Sequence, residues 1–166
     1  LFGWSLKGFL IMKIEDLTEA LSKYLPDADV GIVQKAYEYS AKAHQGQSRR
    51  SGEAYISHPL EVANNLVKLK MDETTLAAGL LHDTIEDTLS TSKEIQNLFG
   101  DEIFQLVDGV TKISKIDFSS REEIQAENYR KMIFAMAKDI RVVLIKLADR
   151  AHNVQTLESL SEERRR

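Results

Sequence analysis

The 166-residue sequence contains no cysteine, only two prolines and no apolar run close to the length of a membrane span. The absence of cysteine excludes disulfide bonds and thiolate metal sites, and it fits a reducing cytoplasm, which is the localisation we expect. A helix that crosses a bilayer needs about 20 predominantly apolar residues, so we expect no membrane partner. No stretch alternates apolar and polar residues for long enough to predict a sheet.

The charge balance also limits the partners. A net charge of −4 at pH 7 argues against nonspecific binding to nucleic acid, although the local basic pair Arg49-Arg50 could still bind a small phosphate ligand. The length suits one domain, which we place at residues 12–166. The apolar opening at residues 1–11 lacks the basic region and cleavage site of a signal peptide, so it is treated as an appendage of no assigned role.

Apolar residues recur at helical spacing throughout and predict an all-α fold of about eight helices. Proline, glycine and capping residues give the helix boundaries. The predicted helices are Met12–Leu25, Val30–His44, one that begins at the cap His58 with Pro59 as its first residue, Asp72–Asp87, a short one from the Thr91/Glu94 capping box to Gly100, Asp101–Lys115, Ser120–Lys138 and Asp139–Leu160.

Four ionisable residues follow directly on an apolar run in the segment AAGLLHDTIEDT (residues 77–88). His82 and Glu86 are four residues apart, as are Asp83 and Asp87, so on a helix the four side chains form one patch. Imidazole nitrogen with carboxylate oxygen suits a divalent first-row metal such as manganese, iron or zinc. The alternative is a solvated helix end, because a two-residue HD match alone is weak.

His58 is a candidate third ligand. It precedes Pro59, which biases its backbone towards extended geometry at a helix start, so its imidazole projects from a fixed position. The alternative interpretation is a simple capping histidine.

Asp149 is a candidate fourth ligand, because it emerges from a helix that is apolar on most sides and therefore predicted to be buried. The alternative is an ion pair with Arg150, which points about 100° away on a helix. His44 is read as structural, and His152 as a neighbour that supports the Asp149 face. One apolar stripe comprises Ile140, Val143, Leu144, Leu147, Ala151 and Val154; the second face comprises Val142, Ile145, Asp149, Asn153 and Thr156.

Four motifs in order resemble the hydrolase domain of RelA/SpoT-type proteins, a branch of the HD phosphohydrolases: AHQGQSRRSGEAYISHPLEVA, GLLHDTIEDT, LVDGVTKISKI and VVLIKLADRAHNVQTL. The resemblance implies an all-helical domain that hydrolyses the alarmone (p)ppGpp with one divalent metal ion, usually Mn²⁺, releasing the 3′-pyrophosphate from GDP or GTP. It implies the metal ligands His58, His82, Asp83 and Asp149, and the acidic pair Glu86 and Asp87, which assists the attacking water. It further implies that Arg49, Arg50, Ser51, Asn153 and Thr156 bind the nucleotide.

Two departures from this family's pattern stand out. Ala54 replaces the usual proline of the GEPYI segment, which should loosen the loop, and the chain stops at LSEERRR where the family's hydrolase domain continues. We therefore expect a domain truncated at its C-terminal end, with a synthetase domain as a candidate neighbour in the full-length protein. Two alternatives stay open: an HD phosphohydrolase for another nucleotide, and a nucleotide-sensing regulatory module.

Overall fold

The computed structural model describes residues 13–49, 52–114, 133 and 138–156, and in these ranges the fold is all-α, as predicted. The one β-contact among the described residues is an isolated bridge between Ser48 and Ala54. The helices are α1 (Ile14–Tyr24), α2 (Val30–Ala43), α3 (Ser57–Lys68), α4 (Glu73–Leu81), α5 (Thr84–Asp87), α6 (Ser92–Ser114) and α7 (Ile140–Gln155).

Helix α4 forms the centre of the fold. All seven residues from Thr75 to Leu81 are buried, and the helix packs against α2, α3, α6 and α7. The side chain of Asp72 caps its N-terminus by accepting a hydrogen bond from the backbone N–H of Thr75 at 2.8 Å. Gly79 lets α3 approach closely, since a Cβ there would lie 2.6 Å from Leu66 Cδ1. A helix packed on all sides gives its C-terminal end a fixed position.

The single helix predicted over Asp72–Asp87 is wrong, because the structure has a turn at His82 and Asp83 between α4 and α5. The Thr84 hydroxyl donates to the carbonyl of Leu81 at 2.7 Å, so a side chain there competes with the helical backbone pattern. Both residues keep φ and ψ close to helical values, so the chain continues in nearly the same direction.

The helix start near His58 also differs from the prediction. Helix α3 begins at Ser57, with Ile56 as its N-cap, so His58 lies within the first turn and is 2% exposed. The backbone N–H of His58 donates to the carbonyl of Tyr55 at 3.0 Å, and Pro59 follows at a first-turn position where its missing N–H costs little. His58 is therefore a buried helical residue and not the cap.

Helix α7 buries one face, whereas the sequence predicted burial on most sides. The apolar stripe expected to be buried is open at three positions, where Ile140, Leu147 and Val154 are 50%, 52% and 63% exposed. The buried face carries Val142, Val143, Ile145, Ala148, Asp149 and His152. Because α7 packs against α3, α4 and α6, this face places Asp149 opposite the ends of α3 and α4.

Other predicted boundaries agree with the structure. The capping box forms, with the N–H of Thr91 donating to Glu94 and the N–H of Glu94 donating to the Thr91 hydroxyl. Helix α6 is broken at Gly100, whose φ of 83° favours glycine. Residues 1–12, Arg50, Ser51, most of the predicted helix over residues 120–138 and residues 157–166 lie outside the described ranges. Within those ranges no helix has both the length and the apolar character of a membrane span.

Candidate metal centre

Four side chains from three parts of the fold meet at the C-terminal end of α4. His58 comes from the first turn of α3, His82 and Asp83 from the turn after α4, and Asp149 from the buried face of α7. One ligand atom each of His58, His82 and Asp149 lies within 4.8 Å of the others. His58 Nε2 lies 3.4 Å from Asp83 Oδ2 and 3.3 Å from Asp149 Oδ1, and His82 Nε2 lies 2.9 Å from Asp83 Oδ1 and 4.0 Å from Asp149 Oδ1.

His82 is oriented as a metal-binding histidine would be. Its Nδ1 lies 2.8 Å from the carbonyl oxygen of Gly79, which can only accept, so Nδ1 carries a proton and donates it. Its Nε2 is fully buried and makes no hydrogen bond, although Asp83 Oδ1 is 2.9 Å away. A nitrogen and an oxygen that are this close without being aligned for a hydrogen bond suit a common cation as their partner.

Asp149 is held on both of its oxygens. Its Oδ1 accepts a hydrogen bond from Asn153 Nδ2 at 2.6 Å and faces His58, whereas its Oδ2 is 2.9 Å from the Lys146 ammonium group. The alternative ion pair with Arg150 is not formed among the described contacts; Lys146 occupies that role. The carboxylate is thereby fixed with one oxygen turned towards the two histidines.

The pKa shifts of the cluster indicate that its two carboxylates stabilise a positive charge beside them. Burial lowers the pKa of His82, but the carboxylates of Asp83 and Asp149 outweigh it and raise the pKa above its ordinary value. Burial raises the pKa of both carboxyl groups, yet His82 and His58 hold the pKa of Asp83 far below its usual range, and His58, His82 and Lys146 do the same for Asp149. A divalent cation with nitrogen and oxygen ligands would fit this donor set.

The acidic pair lies next to the cluster in α5. The Asp87 carboxylate Oδ2 is 2.7 Å from the Tyr55 hydroxyl, which also lies 2.9 Å from Asp83 Oδ2, so the phenol joins the cluster to the acidic pair. Burial and the two carboxylates raise the pKa of Tyr55, which keeps its proton on the hydroxyl. The Tyr55 ring stacks on His44 with centroids 4.3 Å apart. Glu86, the other member of the pair, is half-buried.

The residues expected to bind a nucleotide are only partly brought together. Arg49 Nη2 donates to Asn153 Oδ1 at 2.9 Å, which puts the basic loop beside α7. The Thr156 hydroxyl donates to backbone carbonyls of α7 at its C-terminal end. Arg50 and Ser51 lie outside the described residues.

Sequence reasoning missed two members of this site. Tyr55 stands three residues before His58 in a loop, and no spacing rule marks its hydroxyl as a partner of Asp83 and Asp87. Lys146 precedes Asp149 by three residues, so the helical spacing that places ion pairs on one face could have indicated it.

Comparisons with known proteins give the family of the chain. Residues 36–166 match the family model described as HD domain. The chain is 62% identical over 147 residues to a GTP pyrophosphokinase of Myxococcus xanthus, covering 87% of this chain and 19% of that protein. It is 50% identical over 152 residues to the bifunctional (p)ppGpp synthase/hydrolase SpoT of Escherichia coli (strain K12), covering 92% of this chain and 22% of that protein.

A solved structure is also similar. It is described as "a metazoan ortholog of SpoT hydrolyzes ppGpp and plays a role in starvation responses". The two structures superpose with a TM-score of 0.62 at 29% sequence identity, and the match covers 81% of this chain and 77% of that chain. The chain spans about a fifth of the length of the curated relatives it matches.

Proposed function

Because this chain belongs to the HD domain family, we propose that His58, His82, Asp83 and Asp149 hold one divalent metal ion and that this centre hydrolyses (p)ppGpp to GDP or GTP and pyrophosphate. The predicted resemblance to RelA/SpoT-type hydrolase domains is confirmed by the relatives. The observation that carries the proposal is the buried Nε2 of His82, which has no hydrogen-bond partner and lies among two carboxylates and a second imidazole.

The metal supplies Lewis-acid activation of water and offsets charge on the phosphate oxygens when it is bound; we propose Mn²⁺. In the hydrolysis, the oxygen of water bonds to phosphorus, and the bond between that phosphorus and the ribose 3′-oxygen breaks. One proton must leave the water and one must reach the 3′-oxygen. Glu86 and Asp87 are the carboxyl groups next to the cluster that can accept and return a proton.

Tyr55 positions Asp87 of the acidic pair in this proposal. Its hydroxyl has one proton to donate, and the nearer acceptor is Asp87 Oδ2 at 2.7 Å. If a cation binds Asp83, the Tyr55 hydroxyl donates its proton to Asp87 alone. The stack on His44 and the ring contact with His58 fix the plane of the tyrosine.

Arg49 is the proposed nucleotide contact. Its guanidinium is half-buried and already held by Asn153, whose amide in turn donates to the metal-site residue Asp149. Arginine can form two parallel hydrogen bonds to a phosphate or stack on a base, which suits a guanine nucleotide. We extend the nucleotide site to Arg50, Ser51 and Thr156 by resemblance alone.

The test is incubation of the purified chain with ppGpp and Mn²⁺, with GDP and pyrophosphate separated by chromatography. Asp83→Asn is the matched control, because it is nearly isosteric but removes an anionic ligand; we expect turnover to be lost while the helical circular dichroism is kept. The same assay with a nucleoside monophosphate and a cyclic nucleotide tests the alternative that the chain is an HD phosphohydrolase for another nucleotide. Nucleotide binding without turnover in Mn²⁺ would instead favour a regulatory module within a longer protein that includes a synthetase domain.

A further inference from the structure

His152 contacts His58, a proposed metal ligand, at the ring nitrogen that does not face the carboxylates. It lies one turn after Asp149 on the buried face of α7 and is 4% exposed. Its Nδ1 is 2.7 Å from the Nδ1 of His58, and the two ring centroids are 4.9 Å apart. At this distance one ring donates a single proton to the other.

The direction of that hydrogen bond decides what His58 can offer to a cation. A neutral imidazole has one N–H and one lone pair. The Nε2 of His58 faces Asp83 and Asp149 at 3.4 and 3.3 Å. A cation between them needs the lone pair on Nε2, so the proton of His58 must be on Nδ1, where His152 Nδ1 is the acceptor.

His82 provides the comparison inside the same site. Its Nδ1 donates to the carbonyl of Gly79, and a carbonyl cannot donate in return, so its tautomer is fixed by the backbone. The partner of His58 is an imidazole, which can either donate or accept. The tautomer of His58 is therefore fixed only if His152 keeps its own proton on Nε2.

We infer that His152 is a positioning residue: it accepts the Nδ1 proton of His58 and so holds the Nε2 lone pair of His58 towards the proposed metal. This inference rests on the metal-binding part of the proposed function. Partners of this kind on metal-binding histidines typically change metal affinity by 10–100-fold when they are removed.

The experiment measures Mn²⁺ binding by titration calorimetry on the purified chain and two His152 variants. In His152→Phe the ring is kept but the acceptor is lost, and we expect the Kd for Mn²⁺ to rise by about 10–100-fold. In His152→Asn the side-chain carbonyl can take the place of Nδ1, and we expect most of the affinity to return. Val142→Ala, on the same buried face of α7, is the control for lost packing, with an unchanged Kd.

The outcomes separate this inference from the proposed function. If the wild-type chain binds no Mn²⁺, the proposed function fails, and the inference with it. If the wild type binds and His152→Phe binds equally well, or if Phe and Asn weaken binding equally, only the positioning role is rejected. A measurement on the wild type guards against a variant that does not fold: in a long-range ¹H–¹⁵N spectrum with Zn²⁺ added, His152 should carry its proton on Nε2, and a proton on its Nδ1 would overturn the inference.

Discussion

Arg141 joins three carboxylates from three elements, and its removal should destabilise the fold measurably. Its Nη2 is 2.7 Å from Asp139 Oδ2, and its Nη1 is 2.9 Å from Glu102 Oε1 and 3.4 Å from Asp72 Oδ2. Asp72 caps α4 and Asp139 caps α7, so one guanidinium ties the starts of the two helices that deliver His82 and Asp149.

The size of the effect follows from the exposure of each pair. The Glu102 and Asp72 side chains are 63% and 43% exposed, so each of these pairs contributes at most about 1 kcal/mol. The Asp139 contact is better shielded and uses both Nε and Nη2. We expect Arg141→Met to lower the free energy of unfolding by about 2 kcal/mol in total, which corresponds to a fall in Tm of roughly 4–8 °C for a chain of this size.

The free energy of unfolding that Arg141→Met loses should depend on pH in a defined direction. Hydrogen bonds from Arg141 hold the pKa of Asp139 below its ordinary value. A carboxylate with a lowered folded-state pKa contributes stability above its unfolded pKa of about 3.9 and loses it as the pH falls through the folded-state pKa. The difference between wild type and Arg141→Met should therefore be constant from neutral pH to about pH 5 and shrink below about pH 4.

Urea unfolding followed by circular dichroism, at neutral pH and at acidic pH, measures this difference. Arg150→Met removes an exposed arginine from the same helix and is the control. Arg141→Lys keeps a charge but offers one nitrogen, so it should recover only part of the loss. Equal stability of Arg141→Met and Arg150→Met, or a difference that does not change with pH, would refute the assignment of the stabilisation to these carboxylates.

Four further results are expected. Glu86→Gln should lower kcat by about 10²–10⁴-fold with the metal content unchanged, as measured by elemental analysis; loss of metal together with activity would make Glu86 a ligand. Arg49→Ala should raise KM for ppGpp and Arg49→Lys should restore it only partly, because lysine cannot fork between Asn153 and a phosphate; unchanged KM in both would leave Arg49 a solvated loop residue. Gly79→Ala should destabilise the chain by about 1 kcal/mol in urea unfolding, because displacing the Leu66 methyl group costs about 1–3 kcal/mol and the higher helix propensity of alanine returns up to about 1 kcal/mol; a stabilised variant would disprove the tight contact. EDTA should abolish equilibrium binding of ppGpp as well as turnover; full binding in EDTA would separate nucleotide recognition from the metal.

The sequence was sufficient for the features that depend on neighbours along the chain. The apolar spacing predicted the helices, and Thr91 with Glu94 predicted a capping box that forms. The second face of α7 correctly indicated that Asp149 is a carboxylate on a buried surface, at 5% exposure. These signals come from residues that are close in the sequence, so they can be recognised without the three-dimensional structure.

Features that depend on competition or on distant contacts were missed. The turn at His82 and Asp83 depends on the Thr84 hydroxyl reaching the backbone, and propensity along the chain does not decide that competition. The open stripe of α7 could not be predicted, since apolar spacing does not say which of two faces finds a neighbour. Arg49 and Asn153 are 104 positions apart, and only the packed fold shows that they meet.

The apolar run that precedes His82 and Asp83 buries α4 and so fixes the position of these two residues. A buried α4 holds the turn rigidly, but buried charge is costly unless it is paired. The carboxylates of Asp83 and Asp149 have one ammonium partner, Lys146, and Asp87 lies beside them through Tyr55, so negative charge is in excess here while the histidines are neutral. A divalent cation would offset that excess. Under the proposed function, the phosphates of a nucleotide are attracted to this pocket only after the metal has bound, which makes the cation part of substrate recognition as well as of the chemical step.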